Sequence, residues 1–398
     1  MSVLRHAVVI TLFLLVVCGM DVPRVINAVG TYFEVGEIVG YEAKDLIRTR
    51  LNRTLPLWQW LLKTPAAQSL NESMFKATNT LFPELVVEMT GIAQGSGLSV
   101  AEVFFLNTIA ELESLQGSYM GHCTDVFSAG TNLSTSVWGH NEDSGPHDCN
   151  LTYIVNATIY NTPKRVVVTE KFVAYTYPGS VAGRAFGWNH HGLIITTNAL
   201  FANNINTDNP RAIPRAFHNR ALYRAKDAVD ALTLVTGIPS VTAFSLNLGS
   251  WIPPKDNNPL WESAPYHNAE IDPAGTFSYL RVFFRPTMIP KPAPPVTASL
   301  HHLYHANNFQ VLRGNATIDP SSTARIDRLN QFPVPNTYAE VRNMLGDTKN
   351  SSYPVWQHGR AAGFYTMATA LFRFDEGKVL IYANNPKTSN VSIIFNRE

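Results

Sequence analysis

Five places in this 398-residue chain gather side chains able to do chemistry. Gly121-His-Cys-Thr-Asp125 sets a cysteine ahead of apolar Val126-Phe127, the pattern of a strand entering a core. A cysteine there is either inert packing or, as a thiolate, a nucleophile. Trp138-Gly-His-Asn-Glu-Asp-Ser-Gly145 holds consecutive polar residues between two glycines. Such a run is either a solvated turn or a buried set whose members bond to one another. Gly187-Trp-Asn-His-His-Gly-Leu-Ile-Ile-Thr-Thr-Asn198 reads as a tight turn entering a strand. Ser245-Leu-Asn-Leu-Gly249 puts Asn247 inside an apolar strand, where its amide satisfies a strand end or faces a developing oxyanion. Ser321-Ser-Thr-Ala-Arg325 either caps a helix or delivers a cation. His147, Asp148 and Cys149 follow the second cluster, and His301-His-x-x-His305 lies further on. Neither has HExxH or CxxC spacing, so no metal is expected. No cofactor is expected.

The elements that must position these residues change character at Cys123. Gly30 to Gly121 reads as mostly helical, with a capping box at Ser99-Val-Ala-Glu102. Beyond it, Val166–Thr169, Leu193–Thr197, Phe244–Asn247 and Ser278–Phe284 read as strands. Pro214–Arg224 and a segment opening at Asp227 read as helices, and Thr366–Phe374 with Val379–Ala383 as a closing hairpin. The Pro-rich stretches Trp251–Pro259 and Pro286–Pro295 are expected to be surface loops. Helices first and strands after predict antiparallel sheet flanked by helical layers.

Composition narrows the class. The chain is 45% hydrophobic and 15% charged, with a net charge of +1, so no basic field is available for nucleic acid. Arg5 followed by the apolar run Ala7–Val17 reads as a signal peptide over residues 1–19, too short to span a bilayer comfortably. Asn-x-Ser/Thr sequons stand at Asn52, Asn71, Asn132, Asn150, Asn156, Asn315, Asn350 and Asn390. Together they predict a secreted or lysosomal glycoprotein with no transmembrane span. Cys123 and Cys149 remain after signal removal; they form one bridge, or one of them is a working thiol.

In order and spacing these motifs resemble the penicillin acyltransferase precursor family of N-terminal-nucleophile hydrolases, and within it the branch that hydrolyses β-alanyl-dopamine. The resemblance rests on Gly91-Ile-Ala-x-Gly-x-Gly97, Glu102, Asn107–Glu111, Cys123-Thr-Asp125, Gly139-His-Asn-Glu-Asp143, Asn189-x-x-Gly-Leu193, Ile213-Pro-Arg215, His305-Ala-Asn-Asn-Phe309 and Thr366–Pro386. It implies an α+β fold, a four-layer αββα sandwich with two antiparallel sheets. It also implies self-cleavage between His122 and Cys123, giving an α fragment of residues 20–122 and a β fragment of 123–398 that stay associated. Two departures stand out. Gly121 lies one residue before the position that usually precedes the cysteine, and Asn308 replaces a usual histidine.

The implied chemistry is that of a thiol nucleophile activated by its own new α-amine, whose pKa is about 7.7–8.0. Asn247 is the expected oxyanion donor, a role usually worth about 2.7–4 kcal/mol. Asp143 and Arg325 are expected to orient the terminus or assist cleavage. The substrate is a small N-acyl amine such as β-alanyl-dopamine or β-alanyl-histamine. A β-alanyl ammonium needs an acidic partner. Glu142 is the first choice and Asp125 the second. An acyltransferase, a lipid-amide hydrolase and a catalytically dead binding glycoprotein are the alternatives.

Overall fold

The computed structural model describes residues 20–118, 121–251, 265–285, 300–312, 316–359 and 363–397. The signal segment, Asn315 and nearly all of both Pro-rich stretches lie outside the described residues. The first stretch opens with a strand the sequence did not suggest, β1 (Arg24–Gly30). Six helices follow: α1 (Tyr32–Glu42), α2 (Lys44–Arg53), α3 (Leu55–Lys63), α4 (Pro65–Leu81), α5 (Pro83–Ser96) and α6 (Val100–Leu115). The Ser99/Glu102 capping box does open α6. Then come β2 (Gly121–Ser128), β3 (Val137–Ser144), β4 (Tyr153–Tyr160), β5 (Val168–Thr176), β6 (Phe186–Asn189) and β7 (Leu193–Ala199). After α7 (Arg215–Ala221) and α8 (Ala228–Thr236) run β8 (Phe244–Ser250), β9 (Tyr266–Ile271), β10 (Leu280–Val282) and β11 (His302–His305). The chain closes with α9 (Pro320–Leu329), α10 (Tyr338–Leu345), β12 (Tyr365–Arg373), β13 (Lys378–Tyr382) and β14 (Ile393–Asn396).

Two sheets result. One has eight strands in the order β1-β4-β5-β6-β7-β8-β9-β10, the other six in the order β11-β2-β3-β12-β13-β14. Among the described strands every pairing is antiparallel except β1 with β4, which is parallel, so the larger sheet is mixed rather than wholly antiparallel. The predicted helix Pro214–Arg224 is shorter: Pro214 is its N-cap and Leu222–Arg224 tightens to a 3₁₀ turn. Of Ser278–Phe284, only Leu280–Val282 is strand.

Strand alternation explains the layering, since successive side chains leave opposite faces of a sheet. Phe127, Trp138, Ala370 and Phe372 of the six-stranded sheet meet Ile154, Tyr175, Phe186 and Ile194 of the eight-stranded one, forming the core between sheets. The opposite face of the eight-stranded sheet, through Val155, Phe172, Ile195 and Leu246, packs on helical residues Val39, Met89, Phe105 and Phe217. The far face of the six-stranded sheet, through Val126, Val137 and Leu371, packs on Leu329, Val341 and Leu345 of α9 and α10. The order helix, sheet, sheet, helix is the αββα sandwich.

The glycines of the Gly91–Gly97 motif have a packing reason. A Cβ on Gly91 would lie 2.1 Å from the Phe33 carbonyl oxygen, and one on Gly36 would lie 1.9 Å from that of Glu88. Helices α1 and α5 therefore cross backbone to backbone. Among the described residues no helix is long and apolar enough to cross a membrane.

Candidate active site

Strands β2 and β3 pair with Cys123 opposite Glu142 and Asp125 opposite His140. By alternation these four side chains share the face turned to the eight-stranded sheet, a two-by-two polar patch in the inter-sheet core. The Cys123 thiol donates to Glu142 Oε2 at 3.2 Å. His140 Nε2 lies 3.1 Å from the same oxygen, and its Nδ1 2.8 Å from Asp125 Oδ2. Tyr177 donates to Glu142 Oε1. The solvated-turn alternative for Trp138–Gly145 is thereby overturned: all of β3 is buried.

Electrostatics follow from this burial. Desolvation alone would raise the Asp125 pKa, yet His140 and the surrounding donors hold it below the ordinary carboxylate range. Burial opposes a charge on His140, but Asp125 and its other partners lift its pKa well above the usual imidazole value. Burial, followed by the Glu142 charge, pushes the Cys123 thiol up to about 12. In this uncut chain the thiol is therefore protonated.

Cys123 is held from the opposite face by its backbone. Its N–H donates to Asn307 Oδ1 at 3.2 Å, and its carbonyl accepts from Arg325 Nη1 at 2.6 Å. Arg325 also donates to Thr124 Oγ1 at 2.7 Å and to Asn307 Oδ1 at 2.7 Å. It is fully buried at the centre of the site; α9 is capped instead by Asp319. Asp143 points to this same face. Its Oδ1 accepts from Thr366 at 2.6 Å, and its Oδ2 lies 3.8 Å from Arg325 Nη1 with no hydrogen-bond partner among the described residues. Burial pushes the Asp143 carboxyl up to about 7, against the pull of Arg325.

His122 shows that a residue larger than glycine fits before the cysteine. Its ring centroid lies 5.4 Å from that of Phe201 and 3.9 Å from that of Phe364, and its Nε2 is 3.2 Å from Asp319 Oδ2. Burial lowers its pKa. Asn308 bonds to the start of α9, through Ser322, Thr323 and the Asp319 carbonyl.

Two expected residues lie elsewhere than their roles required. Asn247 is fully buried, and its amide nitrogen lies within bonding distance of Asp125 Oδ2, Thr196 Oγ1 and Asn198 Oδ1, at 3.2, 3.1 and 2.7 Å. It does not line the cavity at Cys123. Its donors are spent bracing Asp125 across the two sheets, so it has none to offer an oxyanion beside the sulfur. Asp125 itself accepts from Trp138, Thr196, Asn198 and Asn247 and is bonded to His140. With both oxygens taken and no exposure, it has no room for a substrate ammonium. Glu142 does line the cavity.

Cys149 and Cys123 are not joined by a disulfide. Asp148 belongs to a buried ion pair with Arg50, at 2.6 Å, and accepts from Ser144. His305 lies 3.1 Å from Glu270. Neither histidine-containing stretch forms a metal cluster among the described residues. Cys123, His140 and Glu142 do bring ligand atoms within 4.8 Å of one another, but a metal there would have to break the bonds just described. Of the sequon asparagines, Asn52, Asn132 and Asn390 are exposed and Asn71, Asn150, Asn156 and Asn350 half-buried.

His140, Tyr177 and Asn307 are the site residues to which sequence reasoning gave no role. His140 was recoverable from the i, i+2 spacing of Cys123/Asp125 and His140/Glu142 once the two segments are paired as a hairpin.

A family model described as acyl-coenzyme A:6-aminopenicillanic acid acyl-transferase matches residues 130–250 and 271–388. A β-alanyl-dopamine/carcinine hydrolase of Drosophila melanogaster is 25% identical, over 92% of this chain and 96% of that protein. Among solved structures, a mutant of the conjugated bile acid hydrolase of Clostridium perfringens is 12% identical, with a TM-score of 0.37 over 67% of this chain and 95% of that one. Penicillin V acylase of Agrobacterium tumefaciens is also 12% identical, with a TM-score of 0.39 over 68% of this chain and 84% of that one.

Proposed function

Because the chain belongs to the acyl-coenzyme A:6-aminopenicillanic acid acyl-transferase family, it is an amide hydrolase or acyltransferase, and we propose that it is a secretory-pathway amidase activated by cutting itself before Cys123. The observation that carries this reading is the grip on Cys123. Asn307 and Arg325 fix its backbone, while its thiol faces a cavity lined by Glu142, Tyr177 and Arg184. Reacting groups held in one geometry lose little further entropy on the way to the transition state.

In the self-cut, Cys123 Sγ bonds to the His122 carbonyl carbon and the His122–Cys123 C–N bond breaks. The thiol proton passes to the departing nitrogen, and water then frees the His122 carboxylate from the thioester. The new α-amine sits beside the sulfur and takes its proton in each later turnover. The thiolate attacks the substrate carbonyl, the amine leaves with a proton, and water or a second amine resolves the thioester. The family description favours keeping the second amine, and so acyl transfer, as an alternative.

A β-alanyl group is the acyl group we propose, as in the Drosophila relative. When Sγ becomes acylated it stops donating to Glu142, and an ammonium on the acyl chain can replace that donor. Residues 1–19 and the sequons support passage through the secretory pathway, to the medium or the lysosome. The test is amine release from β-alanyl-dopamine, β-alanyl-histamine, their N-acetyl counterparts and an N-acyl ethanolamine by purified protein. Absence of β-alanine release, or release undiminished in Cys123→Ala, removes this reading.

A further inference from the structure

We infer that the amine this enzyme releases carries a carboxylate held by Arg184 and Arg215, so that its substrates are N-acyl amino acids of the β-alanyl amino acid type. The inference rests on the amidase reading of Cys123 and deepens it. Two small cavities share a wall at Gly121. One lies beside Cys123 and the other extends to Phe201; both are lined by Glu113, Gly121, Arg184, Ala199 and Arg215. They offer about 20 and about 30 Å³ of water-sized space, room for a water or two but not for a substrate. Gly121, on their common wall, precedes the proposed cut. A substrate requires these two cavities to open into one cleft after the proposed cut.

Two guanidinium groups face that cleft with donors unused. Among the described residues, Arg184 Nη1 and Arg215 Nε are buried without a hydrogen-bond partner. Arg215 as a whole is only 7% exposed, and Arg184 lies over the Tyr177 ring, 5.2 Å from its centroid. A buried charged donor left unmade is costly, and a guanidinium fork matches a carboxylate.

The acids nearby do not answer these donors. Asp148 is committed to Arg50 and Ser144, with His147 Nε2 at 3.2 Å. Glu142 is committed to Tyr177, His140 and the thiol. Glu111, whose charge acts on Arg215, spends Oε1 on the Arg215 backbone N–H and on Thr242, leaves Oε2 buried without a hydrogen-bond partner among the described residues, and lines neither cavity. Glu113 remains, and burial raises its carboxyl to about 7, against the pull of His147 and Arg184, leaving it only partly ionised near neutral pH. Arg184 Nη1 and Arg215 Nε thus keep unmade bonds among the described residues although Glu111, Glu113, Glu142 and Asp148 all lie nearby. A β-alanyl-histamine brings no anion to this cleft, whereas a β-alanyl amino acid brings one.

Histidine and histamine differ by the carboxylate alone, so calorimetric titration of purified wild-type protein with each reads the inference without catalysis and without a variant. Histidine is expected to bind at least about tenfold tighter, the scale of one charge-assisted contact. Arg215→Leu and Arg184→Leu should erase the preference, and Arg215→Lys should keep part of it. In turnover, kcat/KM for β-alanyl-histidine should exceed that for β-alanyl-histamine by a similar factor. Equal binding, or preference for histamine, overturns the inference even if both amides are cleaved. A histidine preference with neither amide cleaved leaves the carboxylate site standing and removes the amidase reading instead.

Discussion

Arg325 Nη1 lies 2.6 Å from the carbonyl oxygen of Cys123, while its Nη2 lies 2.7 Å from the Asn307 oxygen that receives the Cys123 N–H. One planar guanidinium thus fixes both polar groups of the residue, a fork that an ammonium cannot reproduce. It reaches them from the face opposite the thiol, so the sulfur stays open to the cavity.

The two cysteines should behave in opposite ways. Wild-type protein should yield two fragments, the longer beginning at Cys123. Cys123→Ala should give one uncut, inactive chain, and Cys123→Ser slow cutting with poor amide hydrolysis. Cys149→Ala, which removes a thiol that does not line the cavity, should keep both activities. N-terminal sequencing that finds no terminus at Cys123, or equal damage from both alanine variants, removes the N-terminal-nucleophile reading.

Glu142→Gln keeps the shape of the side chain but loses its charge. It should lower kcat/KM for β-alanyl substrates at least about tenfold more than for N-acetyl ones, because the buried ammonium loses its counter-charge. Equal losses on the two series would assign Glu142 to the thiol rather than to the acyl group.

Asp143 gives a pH signature. Its folded-state pKa is raised to about 7 from 3.8, so ionising it destabilises the fold. That cost is absent below the unfolded value, grows as pH rises from about 4 to about 7, and is constant above. In the uncut Cys123→Ala background, adding Asp143→Asn should therefore stabilise more at pH 8 than at pH 5. Thermal unfolding at both pH values reads the difference; a gap independent of pH would mean that Asp143 is already ionised in the fold at pH 5.

Arg220 tests how the two fragments hold together. It is fully buried and lies 2.7 Å from Glu88, before the proposed cut, and 2.6 Å from Glu170, after it. Arg220→Met would bury two unpaired carboxylates, a loss on the order of 3–5 kcal/mol. The fragments should co-elute from a sizing column in wild type and separate at lower denaturant in the variant. An unchanged denaturation midpoint would show that this triad does not couple them.

Helical periodicity before Cys123 and strand alternation after it are local signals, so the sequence carried antiparallel sheet flanked by helices and a strand entering the core at Cys123, while the four-layer sandwich came from the family resemblance. The sequence carried less of the site. Asn307 and Arg325 lie far along the chain from Cys123, and only tertiary folding brings them to it. Asn247 misled for a physical reason. A polar residue in an apolar strand must bond to something buried, and here that partner is Asp125 across the sheets, not a reacting group. β1 was missed because its sheet partner, β4, is more than a hundred residues away.

That pairing also sets how the cut molecule would fail. The proposed cut would leave β1 on the shorter fragment, yet β1 covers the open side of β4 over seven residues, from Arg24 opposite Tyr153 to Gly30 opposite Ile159. A long fragment stripped of its partner would present a bare row of peptide donors and acceptors to any other chain, the template from which aggregates grow. The expected fate of the isolated β fragment is therefore precipitation, and recombinant production should need both pieces made together.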